Sequence, residues 1–307
     1  MSARARIRAI LGPPMIELAD LHRLPSFLAR YAVKRVRFGA PVGPRPAVTY
    51  GTYRTSSTSI HHAIRAWRGG VAIKAHALAP QHLGNVLREA TEPIVHASGV
   101  PLSSHYGNFA VRHGIVEAGR AADVVLTIRD PIAVPASVLY SFAGWWTPEL
   151  RAALAAGADP EAALGRTFFG RFPRNLMVDW MRHDVRAGLG WDWSAVPFDH
   201  ERGWSAYEQG ALRILVLRAD VADAGKEEAL RSFLEIPGLR LERSNAGRGF
   251  DKGRPAIADA VGRMIAAHPD WIESVVTDPV TRHFWGERGA SRIRDRWSAV
   301  RIAGAAA

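Results

Sequence analysis

The chain has 307 residues, 48% of them hydrophobic, and a formal net charge of +11. That length suits one or two domains with a sizeable core. With no cysteine, neither a disulfide framework nor a thiolate metal site can form.

Only Lys34, Lys74, Lys226 and Lys252 are lysines, so arginine supplies almost all of the positive charge. The arginines are scattered, and no zinc-finger or RNA-binding signature accompanies them. Scattered charge reads as a solvated face, and nucleic acid is not expected as a partner. An acidic small molecule suits the same charge. No apolar run approaches the roughly 18 residues of a membrane span. The basic start, Met1 to Pro14, has an apolar part too short and proline-broken for a signal peptide, so the cytoplasm is the default location.

Residues 15–38 carry Ile16, Leu18, Leu21, Leu24 and Leu28 at helical spacing, followed by a basic stretch. Such a helix can lie on a membrane surface or pack on its own domain. Residues 1–46 are thus read as a basic helix and a proline-rich linker. Ala47–Gly51 predicts a strand. The loop Tyr53-Arg54-Thr55-Ser56-Ser57-Thr58-Ser59 leads into a helix with Ile60, Ile64 and Trp67 on one face, ended by Gly69-Gly70. A strand, a tight loop and a helix leave the first helical N–H groups turned toward one spot, where the dipole favours an anion. Thr55, Ser56, Ser57, Thr58 and Ser59 offer backbone N–H groups and hydroxyls there, and Arg54 offers a guanidinium fork. The ordinary alternative is an N-capped helix after a strand. A triphosphatase loop needs lysine where Ser57 stands. The expectation is therefore a P-loop-like phosphate cradle that does not hydrolyse ATP.

Val71–His76 predicts the second strand, so strand, helix and strand form a βαβ unit with parallel pairing. Lys74 and His76 share a face at its C-terminal end, where open α/β sheets bind ligands. A helix is expected over residues 80–90, and residues 91–120 resist assignment. Asp123–Ile128 is a buried parallel strand, ended by Arg129-Asp130-Pro131 and followed by a helix over 132–142. Residues 145–210, rich in tryptophan and phenylalanine, read as a helical insertion. Leu212–Leu217 is another strand, with a helix over 222–234 behind it. A polar glycine-rich loop at 244–255 precedes helices to about Trp297. The expected architecture is a central parallel β-sheet flanked by helices, forming one α/β domain over 47–300, with a frayed tail at 301–307.

Three of these stretches resemble one family. Tyr53-Arg54-Thr55-Ser56-Ser57-Thr58-Ser59 is similar to the 5′-phosphosulfate loop of sulfotransferases, the carbohydrate types above all. Val71-Ala72-Ile73-Lys74-Ala75-His76 resembles the strand with a lysine-x-histidine pair in cytosolic sulfotransferases. Arg129, with Ser137 eight positions later, resembles the 3′-phosphate motif. Residues 198–208 and 215–220 are also similar to a sulfotransferase-like group of bacterial capsular polysaccharide synthesis proteins. The loop departs from the family in holding Ser56 where glycine is frequent and Arg54 where lysine is. The terminal R-K-G-x-x-G motif is missing, and Arg248–Gly253 is a loose counterpart.

The resemblance implies a P-loop-like fold and 3′-phosphoadenosine 5′-phosphosulfate as donor, with no metal. It implies that residues 55–59 and Arg54 hold the 5′-phosphate, and that Arg129 and Ser137 hold the 3′-phosphate. His76 would take the acceptor's proton, being near its ordinary titration range, and Lys74 would meet the sulfuryl oxygens. The acceptor is a saccharide or another small hydroxyl compound. His96, His105, His113 and Glu201 are the rival bases, and Arg129 could instead pair with Asp130 or cap a helix. The competing functions are a kinase-like nucleotide-dependent transferase and a non-catalytic nucleotide-binding protein of capsule biosynthesis.

Overall fold

A computed structural model describes residues 28–33, 45–52, 54–81, 83, 106–141, 156, 160–170, 172–242 and 255–304. Its centre is a five-stranded sheet: β1 (Ala47–Gly51), β2 (Ala72–Ala75), β3 (Ala122–Ile128), β4 (Trp204–Gln209) and β5 (Leu212–Arg218). The order is β2-β1-β3-β5-β4. Pairing is parallel except for β4, which runs antiparallel to β5 at one edge. β3 is buried along its whole length, which is why it reads as an unbroken apolar run.

Helices cover both faces. On one face α1 (Ser57–Arg68) packs Ile60, Ala63 and Ile64 against Ala47, Ala72 and Val125. The other face carries α2 (Tyr106–Val111) and α3 (Ala133–Ser141), then α4 (Pro160–Gly170) and α5 (Leu176–Asp179). α5 continues into a π-helical stretch, Trp180–Val185. α6 (Asp223–Leu234) joins α1 on the first face through Leu230, Phe233 and Leu234. α7 (Pro255–Ala266), α8 (Pro269–Val276) and α9 (Pro279–Gly304, two helical pieces joined across a kink at Gly286) complete the second layer.

The expected strand over 71–76 and the helices over 132–142 and 222–234 match β2, α3 and α6 within a residue or two, and the helix expected after Ser59 begins earlier, at Ser57, as α1. The helical insertion needs correcting at its end. Residues 204–209 form β4, joined to β5 by the two-residue turn Gly210-Ala211. Gly210 has φ +55°, at the position where type II′ hairpin turns place glycine. The last helix runs past Arg301 to Gly304. Of the helix expected over 80–90 only residues 80, 81 and 83 are described, all helical; residues 244–254 and most of the N-terminal basic helix, apart from the short helical stretch 28–33, lie outside the described residues.

α1, which follows β1, lies on one face of the sheet, and α3, which follows β3, lies on the other. β1 and β3 are neighbours, so the chain diverges to opposite faces after their C-terminal ends. That divergence is the topological switch point at which open α/β sheets bind ligands.

Candidate functional site

The segments after β1 and β3 meet at this switch point. In the first, Arg54 (φ +64°) and Ser56 (φ +63°) are left-handed although neither is glycine. Alternating handedness along such a segment turns successive N–H groups inward, the nest geometry that suits an anion. Ser57 and Thr58 open α1, where a helix has no internal acceptors for its N–H groups. The nest and the helix terminus thus share one focus.

Side chains hold this loop from beneath. The Thr55 hydroxyl, fully buried, donates to the Thr52 carbonyl at 2.9 Å and meets Thr127 Oγ1 at 2.9 Å. Gly51 is needed where β1 ends, because a Cβ there would lie 2.2 Å from Thr127 Oγ1. The Ser56 side chain is exposed and makes no capping bond. Ser57 is buried, while Thr58 and Ser59 are half-buried.

Cations surround the loop. Arg54 Nε donates to Ser137 Oγ on α3 at 3.1 Å, and Arg129 NH1 donates to the Arg54 carbonyl at 2.9 Å. Lys74 Nζ donates to Thr58 Oγ1 at 2.7 Å. Arg54, Arg129 and Ser137 therefore form one cluster, with Arg129 bracing the left-handed residue of the loop. Burial lowers the pKa of the Arg54 and Arg129 guanidiniums. For Arg129, Asp130 opposes that shift, while Arg54 and Arg296 add to it. Burial lowers Lys74 to about 8. Asp130 is engaged elsewhere, accepting from the Ile132 and Ala133 N–H groups at the start of α3 and from Trp297 Nε1 on α9. The site thus gathers three partly desolvated cations, an arrangement that favours an incoming anion.

His76 stands beside the loop. Its Nδ1 lies 2.6 Å from the Gly51 carbonyl oxygen. A carbonyl only accepts, so Nδ1 carries the hydrogen and the neutral ring keeps its lone pair on Nε2. The backbone of the same residue is bonded on both sides. Its N–H donates to Asn108 Oδ1 at 2.8 Å, and its carbonyl accepts from Trp180 Nε1 at 2.8 Å. Trp180 packs edge-on against Tyr50, and the Tyr50 hydroxyl donates to Asp184. Asp184, fully buried, also accepts from Leu78 N at 2.8 Å and Ala79 N at 3.4 Å. Burial, and then the Asp184 carboxylate, push the Tyr50 pKa well up, so its proton stays in place.

Arg54, residues 55–59, Lys74, His76, Arg129 and Ser137 thus come together at the C-terminal ends of β1, β2 and β3. Of the rival bases, Glu201 sits in the exposed turn before β4, on the opposite side of the sheet from β2. His113 lies behind α2, its ring against the Tyr31 hydroxyl at 2.9 Å. His96, His105 and residues 248–253 are outside the described residues. The sequence reading missed Asn108, Asp184 and the part played by Trp180. Trp180 and Asp184 sit in the π-helical stretch, a geometry frequent at functional sites that hydrophobic periodicity does not register. Among the described residues there is no cluster of metal-ligating side chains and no helix long and apolar enough to cross a membrane. No family model, no curated protein and no solved structure matches the chain.

Proposed function

We propose that this protein is a sulfotransferase with a P-loop-like fold, moving a sulfuryl group from 3′-phosphoadenosine 5′-phosphosulfate to a hydroxyl acceptor. One observation carries the reading. Arg54, Arg129 and Lys74 crowd the nest and the α1 terminus at the switch point, with His76 beside them presenting Nε2 as its basic nitrogen. Sulfuryl transfer resembles phosphoryl transfer in depending on positioning and electrostatics along an in-line path.

In this reading the loop N–H groups and Arg54 hold the donor's 5′-phosphate. The acceptor hydroxyl attacks sulfur while His76 Nε2 takes its proton. The bond from sulfur to the bridging phosphate oxygen breaks, and Arg54 meets the charge that grows on that oxygen. Lys74 faces the sulfuryl oxygens, and Arg129 with Ser137 takes the 3′-phosphate. Both side chains already engage Arg54, so occupation of the 3′ position would exchange contacts within one cluster rather than fill a separate pocket. A saccharide is the favoured acceptor, on the carbohydrate-type loop.

Thermal shift of the full chain tests this directly. Adenosine 3′,5′-bisphosphate should raise the melting temperature more than AMP or ATP with magnesium. Equal shifts for the bisphosphate and AMP would overturn the 3′-phosphate assignment. A larger shift with ATP and magnesium would favour a kinase-like transferase.

A further inference from the structure

We infer that Asn108 and Trp180 are positioning residues that clamp the backbone of His76 and thereby hold its ring in the single tautomer with Nε2 unprotonated. The inference deepens the proposed role of His76 as base and rests on it for its functional meaning. Its structural content stands on hydrogen bonds alone.

His76 follows the last residue of β2, where sheet pairing no longer dictates backbone direction. Two side chains take over. Asn108 comes from α2, and its helix can approach β2 closely because Gly107 has no Cβ: one added there would lie 2.3 Å from the Lys74 carbonyl. That approach brings Asn108 Oδ1 to 2.8 Å from the His76 N–H. Trp180 comes from the π-helical stretch after α5, and its Nε1–H reaches the His76 carbonyl at 2.8 Å. Asn108 and Trp180 are both buried. With both peptide groups fixed, the residue's φ and ψ are held, and so is the arc the imidazole can sweep. That arc places Nδ1 against the Gly51 carbonyl at 2.6 Å. A neutral imidazole in water exchanges freely between tautomers; here the carbonyl selects one, and the clamp keeps the ring within its reach. Asp184 holds the next turn by Leu78 N and Ala79 N, so the chain beyond His76 cannot take up the slack.

The test reads the ring nitrogens directly, by long-range proton–nitrogen correlation on full-length protein labelled at histidine, with His76 assigned by loss of its signals in His76→Gln. At pH about 8.5, above the ordinary histidine range, the wild-type ring should show Nδ1 protonated and Nε2 not. Asn108→Leu and Trp180→Phe should lower that tautomer's excess roughly two- to tenfold, the weight of one hydrogen bond. Asn108→Asp, which keeps the acceptor, should restore it. Trp180→Phe keeps the ring packed on Tyr50, so it reports even if Asn108→Leu does not fold. A merely structural role would change melting temperature and leave the tautomer alone. An averaged tautomer in the wild type, or an unchanged one in folded Trp180→Phe, overturns the clamp. Bisphosphate thermal shift, run on the same samples, separates the two ideas. A fixed tautomer without any bisphosphate shift leaves the clamp standing and sinks the sulfotransferase reading. A bisphosphate shift with an averaged tautomer does the reverse.

Discussion

Ser56 stands in a backbone conformation that costs an L-residue about 1–2 kcal/mol. Its side chain gives nothing back through capping, so the strain is borne by Thr55 beneath and by Arg129 on the Arg54 carbonyl. Ser56→Gly should therefore raise stability by about 1 kcal/mol, and Ser56→Ala should leave it unchanged, in denaturant titration. A loss with glycine would show that the hydroxyl, not the neighbours, holds the loop. Lys74 gives a second prediction. Its folded pKa of about 8 lies below the ordinary 10.5, because burial disfavours the ammonium. Between those values the unfolded chain binds more protons, so Lys74's contribution to stability rises with pH across that window and is at its least favourable below about 8. An anion binds the ammonium form. Bisphosphate affinity should thus be flat below pH 8 and fall up to about tenfold per unit above it, with proton uptake on binding visible by calorimetry in buffers of different ionisation enthalpy. Lys74→Arg should flatten the profile. A profile already flat in the wild type would mean that Lys74 does not meet the anion.

The elements were unequally legible in the sequence. β3 announced itself as an apolar run buried on both faces, and α1 by Ile60 and Ile64 one turn apart. β4 did not, because Trp204-Ser205-Ala206-Tyr207-Glu208-Gln209 buries only Trp204 fully and carries three helix-competent residues. The usable signal was local: Gly210-Ala211 standing between it and the apolar β5. That Arg54, Lys74, His76 and Arg129 would lie together at strand ends could be read from residue type and spacing. Asn108, Trp180 and Asp184 could not, since they meet His76 and its neighbours only after α2 and the π-helical stretch are packed on the sheet. The junction of β1 and β3 carries a prediction of its own. Gly51→Ala would set a Cβ 2.2 Å from Thr127 Oγ1 and 2.7 Å from Thr55 Oγ1. It should cost about 1–3 kcal/mol by overpacking and weaken bisphosphate binding as the nest shifts. Adding Thr127→Ala should recover part of both losses. No recovery would place the strain elsewhere than between these two strands.

Across the molecule, buried charge is treated differently at the two ends of the sheet. At the N-terminal end Asp123, fully buried on β3, collects Arg213 Nε at 2.8 Å, Arg45 at 3.5 Å and Arg68 at 3.7 Å. Arg213 also reaches Glu235 and the Phe233 carbonyl, so this one carboxylate ties β3, β5, α1 and α6 together, and it raises the Arg213 pKa. At the C-terminal end Arg54, Lys74 and Arg129 gather around one loop, while Asp130 accepts from the start of α3 and from Trp297 of α9. On the proposed function, the carboxylate at the first end serves stability and the cations at the second serve the incoming anion. Stability and binding should then separate cleanly by variant. Asp123→Asn should cost about 2–3 kcal/mol in denaturant titration. That lies below the usual cost of orphaning a buried ion, because Arg213 is partly exposed and can rehydrate. Its bisphosphate affinity should stay within about twofold, since Asp123 and the cations stand at opposite ends of the strands. Arg129→Ala should do the opposite: affinity down roughly ten- to a hundredfold through lost charge-assisted bonds, with a smaller change in stability. AMP sharpens the comparison. If Arg129 acts only on a 3′-phosphate, AMP affinity survives the substitution. If it also braces Arg54, as its bond to that carbonyl requires, AMP affinity falls as well. Equal losses of stability in both variants, with affinity untouched, would make the cationic end a second structural staple and remove the argument for an anion there.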